Sequence, residues 1–279
     1  MDNKTIEMGM QGKTAIITGG TMGIGKACVR IFCEAGVNVV TMGRSIDKGQ
    51  ALAEEINAKG KGKCVFYECD VKDSDRLGEI VELTVKEFGH LDVLVNCAGY
   101  FPLQIPIDMV TKDMYLDVLN TNLVAYFMGC KYALPYLRTS KGNIINIGSV
   151  LGTTGDEGSL AYSSTKGAIH TFTRALAIDE ARNGVRVNEV KPGHICTEMF
   201  ELTTSRQADP EGFVKYSDSL QWLGRGGTAE ETAYPVLFLA SDWASFITGI
   251  ELHVTGGFEI GEGPKLPNPY LKWGEMHKK

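Results

Sequence analysis

Two side chains of complementary acid–base character, Tyr162 and Lys166, stand four residues apart in Tyr-Ser-Ser-Thr-Lys. If this segment is helical, both lie on one face, one above the other. Free Tyr and Lys have pKa values of about 10 and 10.4, so neither transfers protons efficiently at neutral pH. An ammonium about 4 Å away is worth roughly 4 kcal/mol at a dielectric of ~20 and lowers the phenol pKa by ~3 units. The spacing predicts a tyrosine that serves as general acid and base.

A third polar group, Ser149, follows a predicted strand just before this helix, where its hydroxyl can hold a substrate carbonyl or alcohol oxygen. The Tyr-x-x-x-Lys spacing alone describes a solvated helix face equally well. The order of the motifs favours catalysis, because a glycine-rich turn, Asn96-Cys-Ala-Gly99, Ser149 and Pro192-Gly193 fall at successive strand ends.

The glycine-rich turn is Thr18-Gly-Gly-Thr-Met-Gly-Ile-Gly25, between the first predicted strand and the first predicted helix. Glycines permit a tight turn there, and the amides of a helix N-terminus favour a pyrophosphate, although a plain strand-to-helix turn has a similar composition. Asp70 can accept from an adenine amino group or can be an ordinary helix N-cap. The small residues from Asn96 to Gly99 leave room for a ribose or adenine ring, or form a simple turn.

The elements that must position these groups alternate along the chain. Predicted strands cover Thr14–Thr18, Val37–Thr41, Lys63–Glu68, Leu91–Asn96, Asn143–Ile147, Val185–Val190 and Ile250–Val254. Predicted helices cover Ile24–Ala35, Asp47–Ala58, Ser74–Phe88, Thr111–Leu137 and Ala161–Arg182. This alternation, with nearly continuous apolar strands, predicts an α/β fold with a parallel sheet and helices on both faces. Residues 197–227 lack a strand and are interpreted as a substrate lid.

The composition excludes several function classes. The 279 residues carry a net charge of −6, which gives nucleic acid no electrostatic attraction. No apolar run approaches the roughly 20 residues of a membrane helix, and no signal peptide is evident at the N-terminus. Seven scattered cysteines without a CxxC pair argue against a zinc site and against disulfides, so we expect no metal and a cytoplasmic location.

From Gly12 to Gly263 the chain resembles the short-chain dehydrogenase/reductase family, through the motifs quoted above and Asn120-Thr-Asn-Leu123. The resemblance implies a Rossmann fold with a doubly wound seven-stranded parallel sheet and a catalytic set of Asn122, Ser149, Tyr162 and Lys166. Asn122 is expected to hold a water that relays protons to Lys166. Three residues depart from the family pattern. Cys97 replaces a usual Asn, Gly148 replaces a frequent Ser, and Glu189 stands where a small residue is usual.

The cofactor implied by the resemblance is NAD(H) or NADP(H). Its expected contacts are Gly19, Thr21, Met22, Gly23, Ile24, Gly25, Asp70, Val71, Asn96, Ala98, Gly99, Tyr162, Lys166, Pro192, Gly193, Ile195 and Thr197. At the end of the second strand Gly43 occupies the place of an NAD-selecting acid, and Arg44 follows it. Because an Arg can accept a 2′-phosphate, Arg44 weakly favours NADP(H), although stacking on adenine would tolerate NAD(H).

The expected substrate is a small apolar ketone or alcohol. Apolar residues of the lid, including Met199, and Tyr100 after the fourth strand favour a bulky apolar molecule, although the same side chains could pin a helix to the core. Asp156 is expected to contact a polar end of the substrate, beside Ser149 and Tyr162. Runs such as Gly249–Gly257 are similar to 17β-hydroxysteroid dehydrogenases of type 14 and bacterial 20β-hydroxysteroid dehydrogenases, which implies a steroid.

The resulting expectation is an NAD(P)-dependent oxidoreductase that interconverts a secondary alcohol and a ketone, with steroids as the main substrate class. The alternatives are a reductase of a 3-oxoacyl thioester, a sugar or a polyol, and a non-catalytic dinucleotide sensor. The resemblance also implies a homodimer or homotetramer. Residues 12–263 are expected to form one domain between an N-terminal extension, 1–11, and a C-terminal tail, 264–279, in which Tyr270 and Trp273 could reach a neighbouring subunit.

Overall fold

The computed structural model describes residues 7–102 and 104–261, so the predicted C-terminal tail lies outside the described residues. The strands are β1 (Thr14–Thr18), β2 (Asn38–Gly43), β3 (Cys64–Glu68), β4 (Val93–Asn96), β5 (Asn143–Ile147), β6 (Arg186–Pro192) and β7 (Glu251–Val254). The helices are α1 (Gly23–Glu34), α2 (Ile46–Asn57), α3 (Ser74–Phe88), α4 (Lys112–Leu119), α5 (Ala125–Ser140), α6 (Leu151–Thr154), α7 (Leu160–Glu180), α8 (Glu198–Thr204), α9 (Pro210–Ser219) and α10 (Ala229–Ala240).

All seven strands join one parallel sheet in the order β3-β2-β1-β4-β5-β6-β7. The order reverses direction between β1 and β4, and the carboxyl ends of these two strands form the crevice in which open α/β sheets bind ligands. This confirms the predicted doubly wound Rossmann fold.

Helices cover both faces of the sheet because the strands are apolar on both faces. On one face Ala15 and Ile17 of β1 pack with α1, α2 and α10, and on the other Ile16 packs with α3, α5 and α7. Every residue of β1 is buried. Each core cluster removes a large apolar area from water, at about 25 cal/mol per Å².

The long helix predicted over residues 111–137 is divided in the structure. Between α4 and α5 the segment Asn120–Val124 adopts the wider π-helical turn. Such turns are uncommon and occur often at functional sites. This one contains Asn122, and the hydrophobic period of the sequence gives no sign of it.

The segment predicted to be a lid contains two short helices, α8 and α9, and is tied back to the end of the sheet by a bridge between Ile195 and Gly227. At the other end of the chain, residues before the predicted domain start already pack on the core: Met10 is 2% exposed. None of the described helices is both long and apolar enough to cross a membrane. All seven cysteines lie within the described ranges as free thiols.

A buried row of polar side chains ties the sheet to α7. Asn96 Nδ2 donates to Asn146 Oδ1 over 2.9 Å, and Asn146 Nδ2 donates to Thr173 Oγ1 over 3.0 Å. Both asparagines are essentially inaccessible to solvent. Because buried amides require partners, this chain fixes the height of α7 over the carboxyl ends of β4 and β5.

We expect Asn146→Ala to lower the free energy of unfolding by about 1–3 kcal/mol, since it leaves Asn96 and Thr173 without their partner in a dry environment. Urea denaturation measures the change. The exposed Lys86→Ala is the control and should stay within about 0.5 kcal/mol of the parent chain. Equal stabilities for Asn146→Ala and the parent would contradict the structural role of the row.

Candidate functional site

Lys166 is buried at the centre of the site, with 3% of its surface exposed. Its Nζ donates to the Ile147 carbonyl oxygen over 2.7 Å and lies 3.5 Å from the Tyr126 hydroxyl. The interpretation of Tyr-x-x-x-Lys as a solvated helix face is therefore wrong. Burial lowers the pKa of Lys166 to about 8, although nearby Cys97 and Glu189 act to raise it.

Tyr162 stands one turn earlier on α7, at the mouth of the site. Its ring contacts the Phe101 ring edge-on with centroids 4.7 Å apart, and a hydrogen bond from Ser149 reaches its hydroxyl. Lys166 Nζ lies 5.8 Å from the centre of the Tyr162 ring. The structure thus brings the three predicted reacting side chains together at the end of β5.

The predicted fall in the phenol pKa is not found. Burial raises the pKa of Tyr162 to about 12, and the hydrogen bond from Ser149 only partly opposes this effect. The reason is that desolvation of the phenolate outweighs attraction, since the Lys166 ammonium is itself buried and directed at a backbone carbonyl. In this state of the site Tyr162 holds its proton firmly.

Asn122 positions backbone in the structure. From the π-helical segment its Oδ1 accepts from the Tyr100 amide over 2.8 Å, and its Nδ2 donates to the Tyr100 carbonyl over 2.9 Å. A third, longer contact of 3.3 Å reaches Thr165 Oγ1. These bonds fix the backbone of the loop after β4, at Tyr100, to the π-helical segment, which contacts α7 through Thr165. The water relay expected of Asn122 stays a prediction.

The glycine-rich turn has the shape that its sequence predicts. Gly19 has φ +72°, a left-handed conformation that favours glycine, and a Cβ there would lie 2.8 Å from the Ala98 Cα. A Cβ on Gly25 would overlap the carbonyl oxygen of Gly19. Thr18 Oγ1 accepts from the amides of Cys97 and Ala98, which joins the turn to the end of β4. The cradle can therefore form only with these small residues.

An anionic group already contacts the N-terminus of α1. Glu198, the first residue of α8, accepts a hydrogen bond from the Gly23 amide over 2.9 Å. The N-cap residue, Met22, gives this helix no side-chain cap. The carboxylate therefore stands where a phosphate oxygen is expected, and shows that the exposed amide can hold an anion. No local spacing indicates this contact, because 175 residues separate its partners.

The far end of the crevice carries Asp70 and Arg44. Asp70 Oδ1 accepts from the Lys72 amide, while Asp73 caps α3 by accepting from Arg76. The alternative interpretation of Asp70 as the N-cap is therefore wrong. Arg44 is exposed directly after β2. The hydrogen bond that Lys72 donates to Asp117 raises the pKa of Lys72, and the positive charge of Arg44 nearby opposes this effect.

The other predicted cofactor residues border the same crevice, at the carboxyl ends of β1, β3, β4 and β6, in the turns beyond them or at the start of α1. They are Thr21, Met22, Ile24, Val71, Asn96, Ala98, Gly99, Pro192, Gly193, Ile195 and Thr197. The Asn96 side chain is buried and bonded to Asn146, so it is turned into the sheet. A Cβ on Gly99 would lie 3.7 Å from Lys166 Nζ, so this glycine keeps the approach to the ammonium open.

The predicted substrate side has a mixed surface. Tyr100 and Met199 are about 40% exposed, and Asp156 is an exposed carboxylate before α7. Gln104, which the sequence did not single out, donates to Asp156 Oδ2 over 2.8 Å. In the lid, Phe200 packs against His194 with ring centroids 3.8 Å apart. Some apolar residues of the lid are thus partly exposed, such as Met199, and others are packed, such as Phe200.

Known proteins are similar to this chain in sequence and in architecture. The family model described as enoyl-(acyl carrier protein) reductase matches residues 19–259. The mouse L-fucose dehydrogenase is 42% identical over 93% of this chain and 93% of its own length. A 3-oxoacyl-[acyl-carrier-protein] reductase from Haemophilus influenzae is 36% identical over 90% of this chain and all of its own. The solved aldohexose dehydrogenase of Thermoplasma acidophilum is 30% identical, with a TM-score of 0.83 over 93% of this chain and 98% of that one.

The position of Tyr162 beside Ser149 and Lys166 agrees with its predicted role as the proton-transferring group. Tyr162→Phe should lower the turnover of an alcohol substrate by about 10²–10⁴-fold, because it removes the general acid–base group and little else. Steady-state formation of reduced cofactor gives the measurement. In the control, Tyr115→Phe, the change removes a hydroxyl of α4 that contacts Ser164 on α7, and turnover should be unchanged. Full activity in Tyr162→Phe would refute this role.

Proposed function

The chain belongs to the short-chain dehydrogenase/reductase family of oxidoreductases, which interconvert CH–OH and keto groups with NAD(P), and we propose that its substrate is a sugar. The hydroxyl oxidised or formed lies on an aldose related to L-fucose. This choice replaces the steroid expected from the sequence with one of its stated alternatives.

The observation that carries the proposal is the 42% identity with the mouse L-fucose dehydrogenase over almost the whole length of both chains. A second sugar enzyme, the aldohexose dehydrogenase, supports it through its fold. None of these relatives is named as a hydroxysteroid dehydrogenase, so the names give the steroid branch no support. The Gln104–Asp156 pair at the rim also favours a ligand with several hydroxyl groups, because a carboxylate accepts hydrogen bonds from them.

The second candidate is reduction of a 3-oxoacyl thioester, which the 36% identity with the Haemophilus influenzae reductase favours. An acidic carrier protein requires a basic docking surface near the crevice. Along the lid, residues 197–227, acidic and basic residues are interspersed, for example Glu201 and Glu211 with Arg206 and Lys215. This surface offers no single sign of charge, so the sugar is the better-supported substrate.

Each of the four predicted catalytic side chains has a separate role. Ser149 holds the reacting oxygen of the substrate, and Tyr162 gives or takes its proton. Lys166 presents a positive charge below the phenol, and Asn122 fixes the backbone of Tyr100 beside them. Together these side chains align a CH–OH group and stabilise its oxygen as charge develops.

A nicotinamide dinucleotide fits the crevice, because the glycine turn excludes side chains and the Gly23 amide donates to an anionic group. The residues that would hold it are the turn from Gly19 to Gly25, Arg44 after β2, Asp70 after β3, and Thr197 at the start of the lid. When bound, the cofactor supplies the hydride acceptor or donor.

A homodimer or homotetramer belongs to the same proposal. Phe127 on α5 is 49% exposed and Ile178 on α7 is 76% exposed. Apolar side chains exposed on two long neighbouring helices favour a subunit contact there.

A substrate panel tests the proposal. L-fucose and aldohexoses should support cofactor reduction with kcat/KM values at least about tenfold above those of hydroxysteroids, because the rim is polar. A 3-oxoacyl thioester with reduced cofactor is assayed in parallel, and Tyr162→Phe is the blank for each compound. Activity confined to the thioester, or to steroids, would refute the sugar assignment.

Arg44 provides a separate test of cofactor choice. The guanidinium stands where a 2′-phosphate is read, so Arg44→Asp should shift the ratio of kcat/KM values toward NAD(H) by about tenfold or more. The ratio for NADP(H) and NAD(H) is measured with one sugar. The control is Lys48→Asp, an equal change of charge on the exposed side of α2. A ratio that Arg44→Asp leaves unchanged would show that Arg44 does not read the cofactor.

A further inference from the structure

Two departures from the family pattern, Gly148 and Glu189, are in contact in the structure. Glu189 lies on β6 next to the end of β5, and a Cβ on Gly148 would overlap its Oε1. The missing side chain at position 148 is therefore what gives the carboxyl group its space. Gly148 directly precedes Ser149 and directly follows Ile147, whose carbonyl oxygen accepts from Lys166. The carboxyl group thus sits immediately behind the catalytic residues.

The strand register explains how Glu189 faces α7. Asn146, Glu189 and Glu251 are register partners on β5, β6 and β7, and they form one row across the sheet. On α7, Lys166 and His170 are one turn apart, and a helix presents residues at this spacing on one face. The row meets that face: Asn146 bonds Thr173, and His170 Nδ1 lies 3.6 Å from Glu189 Oε2.

Glu189 is fully buried, and neither of its oxygens has a hydrogen-bond partner within the described ranges. A buried carboxylate in this condition is held by nearby positive charge or takes up a proton. The charged and titratable groups that face it are Lys166 and His170 from α7, Lys191 from β6, Glu251 from β7 and Tyr126 from α5.

Lys191 is the basic side chain that pairs directly with a carboxylate of this cluster. Its ammonium donates to Glu251, in a close ion pair, and to Thr153 Oγ1 over 2.8 Å. His170 Nδ1 lies 2.9 Å from the other oxygen of Glu251. The ligand atoms of His170, Glu189 and Glu251 are also spaced for a metal ion, but Lys191 already neutralises one of the two carboxylates. The arrangement therefore favours a network of protein charges over a metal centre.

We propose that Glu189 is a positioning residue for the catalytic lysine: its ionised carboxyl group, seated behind Gly148, keeps Lys166 positively charged. The inference rests on the proposed oxidoreductase function, within which Lys166 acts only as an ammonium. It adds a fifth side chain to the predicted set of Asn122, Ser149, Tyr162 and Lys166.

The two groups influence each other in opposite directions. Burial lowers the pKa of Lys166 to about 8, while Cys97 and Glu189 raise it. Burial also raises the pKa of Glu189 to about 7, while Lys191 and Lys166 lower it. Glu189 is therefore mostly protonated at pH 6 and mostly ionised at pH 8. Its support for Lys166 is thus present only above neutrality, where burial would otherwise deprotonate the lysine.

The test is the pH profile of Glu189→Gln. At pH 6 Glu189 of the parent is mostly protonated, and the glutamine of the variant is uncharged. The kcat of the variant with the sugar substrate should therefore agree with that of the parent within about twofold. On the alkaline side the midpoint of activity should fall by about one pH unit, because Lys166 loses its opposite charge. Glu189→Asp should restore most of the midpoint. A profile that is lowered equally at all pH values would show a merely structural role and overturn the proposal.

Glu180→Gln is the matched control, since Glu180 is also a buried carboxylate on α7 but pairs with Arg138 away from the site. It should lose stability and keep the parent midpoint. Glu189→Gln should instead gain thermal stability relative to the parent as the pH rises from 5 to 8. The sign follows from the raised pKa of Glu189: the folded parent binds the extra proton below pH 7 and loses that advantage above it.

A readout without substrate separates this inference from the proposed function. The affinity for reduced cofactor, followed by its fluorescence, should show the same alkaline shift in Glu189→Gln, even if no sugar is oxidised. An unshifted binding midpoint would overturn the inference and leave the sugar proposal standing. A divalent metal retained at one per chain by the parent and lost in Glu189→Gln would overturn it as well, in favour of a metal site.

Discussion

The burial of one ammonium group constrains the whole site. Lys166 has 3% of its surface exposed, and Nζ gains a backbone carbonyl in place of water. A charge in such a place is tolerated only with fixed partners. These partners come from β5, α5 and α7, so the arrangement requires the sheet order, the polar row through Asn146 and the height of α7 together. The fold therefore supplies the fixed polar partners that a buried ammonium group requires.

The cost of burying a charge also explains why Lys166 does not lower the pKa of Tyr162. Burial favours the neutral form of each, raising the pKa of Tyr162 to about 12 and lowering that of Lys166 to about 8. Spacing along a helix brings the groups together but does not set their charges. The charges depend on the surrounding dipoles and carboxyl groups, including groups on strands distant in sequence.

The sequence predicted the fold well, because its signals are local. Alternating apolar strands and amphipathic helices gave all seven strands within a few residues, and the glycine turn marked the phosphate end of the crevice. The π-helical segment around Asn122 was not predicted, since its residues have an ordinary helical pattern. The pKa of Tyr162 was predicted in the wrong direction, because the spacing of Tyr162 and Lys166 indicates their attraction and gives no sign of desolvation. The contacts Gly23–Glu198 and Gln104–Asp156 join distant segments, and the Gly148–Glu189 contact joins neighbouring strands, so no local pattern reveals them.

The bond between Gly23 and Glu198 links the lid to nucleotide entry. One amide hydrogen cannot be donated fully to two acceptors, so an incoming phosphate oxygen and the carboxylate compete for it. The Glu198 carboxylate belongs to the same chain, so the segment that carries α8 sets its effective concentration at the Gly23 amide. The free energy of dinucleotide binding would therefore include the cost of breaking the Gly23–Glu198 bond and releasing α8. Changes in the lid can tune that affinity without contacting the bound molecule.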